Sequence, residues 1–231
     1  MRNPIYRITH EQFAPLAEPL GFHCIEHRYY YRIVNDVVQQ FCLLWLGREC
    51  TIRFSLSSVY EKNERKSEGF ELSRLIDGTN NWIVPSSKEI APRVFAADPM
   101  LLTLTEESYR YVADRCTDAL RSSLLPWFSA NTDSENSLSA MRRVRDIHEG
   151  VPEFKDLGFL LAMKEWAQVK TILKAYFVDC TIPCREAWMK EMPQEYLPLY
   201  DALVKGDLNA VQTYMDAKKQ DTYREFKWKQ D

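Results

Sequence analysis

The run from Val37 to Leu46 limits most strongly how this chain of 231 residues can fold. Successive side chains of a strand point to opposite faces of the sheet. Apolar residues occupy both faces of this run, namely Val37, Phe41, Leu43 and Trp45 on one and Val38, Cys42, Leu44 and Leu46 on the other. The run therefore predicts a central strand that is covered on both sides.

Two further runs flank this strand. Residues 22–34 (FHCIEHRYYYRIV) are rich in aromatic and β-branched residues and predict a strand that reaches the two-residue turn signal Asn35-Asp36. After a turn at Gly47-Arg48, the segment from Cys50 to Tyr60 alternates between apolar and polar residues, which predicts a strand with one buried and one solvent-facing side. The three runs together predict an antiparallel meander.

A helix is predicted in front of this sheet. Thr9 and Gln12 have the spacing of a capping box, and an apolar stripe follows at helical spacing as far as Leu20. Gly21 stands where helices end in left-handed backbone geometry. Pro15 predicts a kink in this helix. The expected fold is α+β, with this N-terminal helix packed on the apolar side of the sheet.

The remaining chain is predicted to become mostly helical. Residues 61–68 form a charged, solvated loop, and Phe70 to Ile76 is either an edge strand or a short helix. Thr105 caps a second helix that ends at Pro126. The polar segment Ser129 to Ser137 then separates an α+β domain (1–130) from a helical region (131–231), whose first helix runs from Ser137 to His148.

The helical region contains a weak internal sequence repeat. Glu165-Trp166 with Val169 and Leu173 matches Asp207-Leu208 with Val211 and Met215, at an offset of 42 residues. Each copy follows an apolar segment. This pattern predicts two helical hairpins, and the alternative is an antiparallel helical subdomain without a repeat.

Composition excludes several function classes. The net charge of −3 argues against a nucleic-acid binder, and the seven glycines form no phosphate-binding loop. The six cysteines are expected to be free thiols, and Cys180 and Cys184 lack a zinc spacing. His23 and His27 would stand too far apart on one strand to share a metal ion. We therefore expect neither a cofactor nor a metal.

Targeting signals are not apparent either. The first twelve residues lack the apolar core of a signal peptide, and no stretch reaches the roughly 20 apolar residues that cross a bilayer. We expect a cytoplasmic protein that does not bind a membrane.

Three arginines are the candidate partner-binding residues. Arg53 lies on the predicted solvent-facing side of the third strand, and Arg142 and Arg145 share one face of a predicted helix. Arginine pairs readily with carboxylates and phosphates, so these side chains are expected to meet an acidic partner surface. The alternative is a solvated helix face in which Arg145 pairs with Glu149. The aromatic run Tyr29-Tyr30-Tyr31 is expected to be core rather than a base-stacking platform, because its side chains alternate.

The first 130 residues resemble a bacterial family of small α+β domains of unknown function. The resemblance lies in Leu20-Gly21-Phe22, Tyr30-Tyr31-Arg32, the alternating residues 51–56 and Pro126-Trp127-Phe128. It implies an α+β fold but no catalytic residue. Some bacterial domains of this general kind act as immunity or partner-binding proteins.

These observations predict a non-catalytic cytoplasmic protein-interaction domain with a protein partner. A bacterial toxin-immunity protein is a narrower alternative. An enzyme whose active site has no familiar motif is the third hypothesis.

Overall fold

The structure, a computed structural model, describes residues 4–46, 49–63, 66, 69–72, 106–144, 154–178 and 192–228. It confirms the α+β class, with an N-terminal helix, an antiparallel sheet and a mostly helical C-terminal region. Several sequence predictions lie outside the described residues: the turn at Gly47-Arg48, the cap at Thr105, residues 73–76, residues 145–148 and the pair Cys180 and Cys184.

The chain divides into two compact units. The sheet unit comprises Met1–Val34, Val38–Leu56 and Arg65–Thr132, and the helical unit comprises Asn35–Val37, Ser57–Glu64 and Asp133–Asp231. The division between Thr132 and Asp133 lies two residues beyond the boundary placed from the sequence. The helical unit also includes two short segments from the ends of strands, which local composition does not indicate.

Helices and strands of the first part of the chain follow one another closely. In chain order they are α1 (Pro4–Ala17), β1 (His23–Ile25), β2 (Tyr29–Val34), β3 (Val37–Leu46), β4 (Glu49–Ser58), β5 (Phe70–Glu71), α2 (Glu106–Ala119) and α3 (Leu125–Ala130). The described strands form one sheet in the order β1-β2-β3-β4-β5. The short β5 pairs antiparallel with β4, so the strand alternative for Phe70 is right and the helix alternative is wrong.

The prediction of one continuous strand over residues 22–34 is wrong. The chain reverses between β1 and β2, where Glu26 and His27 have positive φ angles of 56° and 60°. Neither residue is a common turn signal, so the sequence did not reveal this reversal. The next turn does follow its signal, because Asn35 and Asp36 have φ angles of 46° and 67°, as a tight two-residue hairpin turn requires.

The predicted start of the first helix is also wrong. Helix α1 begins at Pro4, so Thr9 lies in its interior and its hydroxyl donates to the carbonyl oxygen of Ile5 at 2.7 Å. Proline is well tolerated in the first turn of a helix, which explains the earlier start. The predicted end is close, since Gly21 takes left-handed geometry with φ of 84° after one turn of 3₁₀ helix.

Strand β3 matches its prediction, whereas β4 ends at Ser58 rather than Tyr60 and buries Thr51 on its predicted solvent-facing side. Strand β3 has the predicted bounds, and its described apolar residues are buried on both faces, namely Val37, Val38, Phe41, Cys42, Leu43 and Leu44. In β4 the side chains of Ile52, Phe54 and Leu56 are buried, whereas Arg53 and Ser55 are half-buried. The alternation of β4 therefore separates a core face from a partly solvated face.

Aromatic rings join α1 and α3 to the sheet. Tyr30 of β2 and Phe41 of β3 stack in parallel with ring centroids 4.6 Å apart. Phe13 of α1 lies 5.9 Å from Tyr30, and Phe128 of α3 lies 6.3 Å from Phe41. Burying such rings is among the largest favourable contributions to folding, so this cluster is the core of the sheet unit.

Helix α2 does not end at Pro126. The chain passes through a π turn, Leu120–Leu124, in which the N–H of Leu125 donates to the carbonyl of Leu120, and then continues as α3. Proline fits the first turn of the new helix because it has no N–H to bond there. The predicted polar linker shrinks to residues 131–133, since helix α4 (Ser134–Val144) begins at Ser134.

A buried glutamine organises the sheet unit. The Gln39 side chain is buried in β3, and its Nε2 donates to the carbonyl oxygens of Phe128 at 2.8 Å and Asn131 at 2.7 Å. Its Oε1 accepts from Nε of Arg32 at 2.7 Å, and the Arg32 guanidinium also donates to the carbonyl of Leu20. The amide thus links β3, β2, the end of α1 and the end of α3.

In the described part of the helical unit, two helical hairpins follow α4. The first joins α5 (Leu157–Ala162) to α6 (Trp166–Phe177), and the second joins α7 (Leu197–Lys205) to α8 (Leu208–Phe226). Lys164 and Gly206 occupy equivalent turn positions with φ angles of 59° and 72°. One residue later, the N–H groups of Glu165 and Asp207 donate to Leu160 and Ala202, both at 2.9 Å. The turns therefore share one geometry at the 42-residue offset.

Strand ends are held within the helical unit by hydrogen bonds. The hydroxyl of Thr222 in α8 donates to the carbonyl of Val59 at 2.9 Å, and Asn63 donates to the carbonyl of Ser58 at 2.7 Å. Asp36 accepts from the Tyr60 hydroxyl and pairs with Lys219, both at 2.7 Å. These bonds explain why residues 57–64 belong to this unit rather than to the sheet unit.

Replacing the Gln39 amide should destabilise the sheet unit. In Gln39→Met the side chain keeps its length, but the carbonyls of Phe128 and Asn131 and the Nε of Arg32 lose their hydrogen bonds to the Gln39 amide. We expect a loss of about 2–3 kcal/mol in the free energy of unfolding, because unsatisfied buried polar groups cost about 1–3 kcal/mol each. Urea unfolding followed by tryptophan fluorescence measures it. The exposed Gln212→Met is the matched control, and equal effects of the two substitutions would contradict this account.

Candidate functional site

Arg53 is less exposed than its sequence position indicates. It lies in β4 with its backbone in register with Glu71 of β5, so the edge strand runs directly beside it. Its side chain is half-buried. The solvent-facing side of β4 therefore offers a smaller charged surface than an open strand would.

Arg142 forms an ion pair inside the helical unit. Its Nε and Nη2 approach one carboxylate oxygen of Asp156 at 3.1 Å and 2.9 Å, and the Asp156 side chain has no solvent exposure. A buried carboxylate is costly unless it is paired, so Arg142 neutralises a charge of this protein's own core. Arg145 lies outside the described residues, and the structure thus places Arg53 and Arg142 in different units.

A row of aromatic rings crosses the helical unit, and the sequence analysis missed it. We call it the aromatic row, and its members in spatial order are Tyr200, Phe177, Tyr176, Phe154, Tyr196 and Tyr214. Successive ring centroids lie 5.7, 6.1, 4.9, 5.1 and 6.2 Å apart. These spacings lie in the range over which aromatic rings attract one another, so the six rings form one unbroken series of contacts.

Ends of elements position the rings of the aromatic row. Tyr176 and Phe177 are the last residues of α6, Phe154 opens a 3₁₀ turn before α5, and Tyr196 ends a 3₁₀ turn before α7. Five of the six side chains are half-buried, and Tyr196 is buried. Because the rings come from separate elements, no helical or strand period groups them in the sequence.

An ion pair lies at one end of the aromatic row. Nζ of Lys218 in α8 lies 5.7 Å and 5.6 Å from the ring centroids of Tyr196 and Tyr214, and it contacts Glu195 at 2.7 Å. Burial raises the pKa of both tyrosines, the Glu195 carboxylate raises both further, and the Glu61 carboxylate raises that of Tyr196. The hydroxyls therefore stay neutral at physiological pH.

Exposed apolar side chains accompany the row. Among the described residues, the large apolar side chains that are exposed include Val178 (57%), Leu197 (39%), Val204 (51%) and Leu208 (55%), all within the helical unit. Val178 directly follows α6, and Leu197 directly follows Tyr196. Apolar surface next to ordered aromatic rings is typical of protein-binding surfaces.

A second cluster of chemically active groups lies in the sheet unit. Nδ1 of His10 in α1 is 2.7 Å from the Tyr30 hydroxyl, and the rings of His10 and His27 lie 4.6 Å apart. Burial and then the neighbouring His27 lower the pKa of His10, although Glu18 and Glu11 act in the opposite direction. From the sequence, His27 is paired only with His23 as a possible metal ligand. In the structure, the His23 ring stacks on Tyr31 instead.

Cys24 belongs to the same cluster but is poorly suited to act as a nucleophile. Burial raises the pKa of its thiol to about 11, and a hydrogen bond with Tyr30 only partly offsets that effect. Thiolate, not thiol, is the reactive species. At neutral pH this cysteine therefore stays protonated.

Comparisons with known proteins do not assign the chain to a family. No protein-family model, no curated protein and no solved structure matches it. In the described part of the chain, no helix is long and apolar enough to cross a membrane. The same residues contain no group of three or more His, Cys, Asp or Glu side chains that could hold a metal ion. The resemblance of residues 1–130 to a small α+β family stays a prediction.

Removing the Arg142 guanidinium should strongly destabilise the helical unit. Arg142→Ala leaves the buried Asp156 carboxylate without its cation, and we expect a loss of about 3 kcal/mol, as for other broken buried pairs. Arg143→Ala, on the exposed side of the same helix, should change the free energy of unfolding by less than about 0.5 kcal/mol. Chemical denaturation measures both, and a small effect at Arg142 would show that the ion pair is not needed.

Acidification should destabilise the sheet unit through His10. Because its pKa is lowered in the folded state, the unfolded chain binds the proton more readily, and stability falls as the pH drops through the ordinary histidine pKa of 6.5. In His10→Gln this part of the pH dependence should disappear. Urea unfolding at pH 8.0 and below pH 6, with EDTA present, measures the difference. An unchanged pH dependence in the variant would contradict the assignment.

Proposed function

We propose that this chain is a non-catalytic cytoplasmic interaction protein that binds another protein through its aromatic row. The observation that supports this proposal is the run of ring contacts from Tyr200 to Tyr214, in which five of the six rings are half-buried, with the exposed Val178 and Leu197 directly after Phe177 and Tyr196 in the chain. The expected partner is a protein rather than a nucleic acid, because the net charge of −3 provides no general attraction for a polyanion.

A small loss of conformational entropy on binding favours these rings as a protein interface. Tyrosine and phenylalanine have few rotatable bonds, and rings held against one another lose little further freedom when a partner covers them. Tyrosine is also enriched among the residues that dominate protein interfaces, since its ring is apolar and its hydroxyl forms hydrogen bonds. The neutral state of Tyr196 and Tyr214 avoids the cost of burying a phenolate.

An enzyme and a toxin-immunity protein are the two alternative functions. An enzyme would use a poised acid, base or nucleophile, and the protonated thiol of Cys24 does not supply a nucleophile at neutral pH. A toxin-immunity protein remains a narrower form of the same proposal, in which the bound protein is a toxin.

Site-specific photocrosslinking tests the proposal in cells of the source organism. Benzoylphenylalanine placed at Tyr200 should crosslink to one defined protein, whereas the same residue placed at the exposed Tyr111 of α2 should not. In the protein that carries benzoylphenylalanine in place of Tyr200, Tyr176→Ala should reduce the crosslinked product at least tenfold. Truncating an interface hot spot costs 2 kcal/mol or more in binding free energy.

Tyr111→Ala is the matched control for this loss, and circular dichroism shows whether each variant folds. The proposal is overturned if Tyr200 gives no specific product. It is also overturned if the product persists undiminished in a folded Tyr176→Ala variant.

A further inference from the structure

Two histidines from different structural elements meet in the sheet unit. His10 lies in α1 and is half-buried, and His27 lies in the turn between β1 and β2 and is exposed. Their ring centroids are 4.6 Å apart, and the ring planes are tilted by 59°. Two imidazoles that bind one zinc ion at about 2.0–2.1 Å hold their centroids roughly 5 Å apart. The observed spacing fits that arrangement.

The backbone holds His27 in place. His27 and its neighbour Glu26 have positive φ angles, and the N–H of Arg28 donates to the carbonyl of Ile25 at 3.2 Å. The Arg28 guanidinium lies over the rings of Tyr6 and Tyr29, at 5.1 Å and 4.5 Å. The turn is therefore anchored to α1 and to β2, and little rearrangement is needed for two imidazoles to share an ion.

Tyr30 orients the other imidazole. Its hydroxyl is 2.7 Å from Nδ1 of His10, and its ring is stacked against Phe41 in the core. Metal-binding histidines commonly use one ring nitrogen for such a hydrogen bond, which leaves the other nitrogen for the metal. Because Nδ1 of His10 already contacts the Tyr30 hydroxyl, Nε2 is the nitrogen left for the metal ion.

The side-chain chemistry of the pair favours a transition-metal ion. Imidazole is a preferred ligand of Zn²⁺, Cu²⁺ and Ni²⁺, whereas Mg²⁺ and Ca²⁺ prefer oxygen. In the described residues no third His, Cys, Asp or Glu joins the pair, so water would complete the coordination.

We propose that His10 and His27 form a two-histidine site for a divalent transition-metal ion, with Tyr30 as the residue that positions His10. The site lies in the sheet unit and does not rest on the proposed interaction function. The ion binds as a Lewis acid to the two neutral imidazoles, and no redox step is involved.

Titration of the full chain with zinc chloride alone tests the site. At pH 7.5 the ring-proton NMR signals of His10 and His27 should shift together, and those of His23 should not. In isothermal titration calorimetry, His27→Asn should weaken this binding event at least tenfold. His27 is exposed, so this variant is expected to fold. His23→Asn is the matched control and should bind zinc as the unmodified chain does.

A second variant separates positioning from folding. Tyr30→Phe removes only the hydroxyl and should weaken zinc binding about 10–100-fold, as loss of an outer hydrogen bond does at other sites. Its ring proton shifts should still report a folded sheet unit. The proposal is overturned if zinc leaves the His10 and His27 signals unchanged at millimolar concentration. Equal affinity in His27→Asn and the unmodified chain also overturns it.

Discussion

The primary amide of Gln39 lies in the middle of the central strand, out of contact with bulk water. A buried amide is tolerated only when its donors and acceptor are all bonded. Here the partners are carbonyls at the end of α3 and the guanidinium of Arg32, which itself reaches the carbonyl of Leu20. Apolar packing alone would allow these elements to slide past one another. The amide network permits one arrangement, and the aromatic core around Phe41 is organised within it.

The helical unit obtains its surface by a different route. Its two hairpins repeat one turn geometry, with Lys164 and Gly206 in left-handed conformation and the same backbone hydrogen bonds around them. The repeat buries Val169 and Val211 at equivalent positions. Rings from α6, α7, α8 and the two 3₁₀ turns lie beside one another and form the aromatic row. A surface of this kind is a consequence of stacking hairpins, and no single hairpin contains it.

Several elements could be predicted because local patterns govern them. The bounds of β3, the alternation of β4 and the Asn35-Asp36 turn follow from side-chain periodicity and from residues that accept positive φ. The errors arose where a local signal competed with tertiary context. Thr9 has the spacing of a cap but donates inside a longer helix, and Glu26-His27 turns without a typical turn residue. Pro126 was expected to end a helix, and a π turn admits it at the start of the next one.

By itself, the sequence determined the α+β class, the central covered strand and the absence of familiar phosphate-binding motifs, because burial periodicity and loop chemistry act over a few neighbouring residues. Only the tertiary structure decided which polar groups meet. Arg142 pairs with the buried Asp156, and His10 of α1 meets His27 of the turn between β1 and β2. The physical reason is that an ion pair or a ring contact depends on the distance between elements, which no local period encodes.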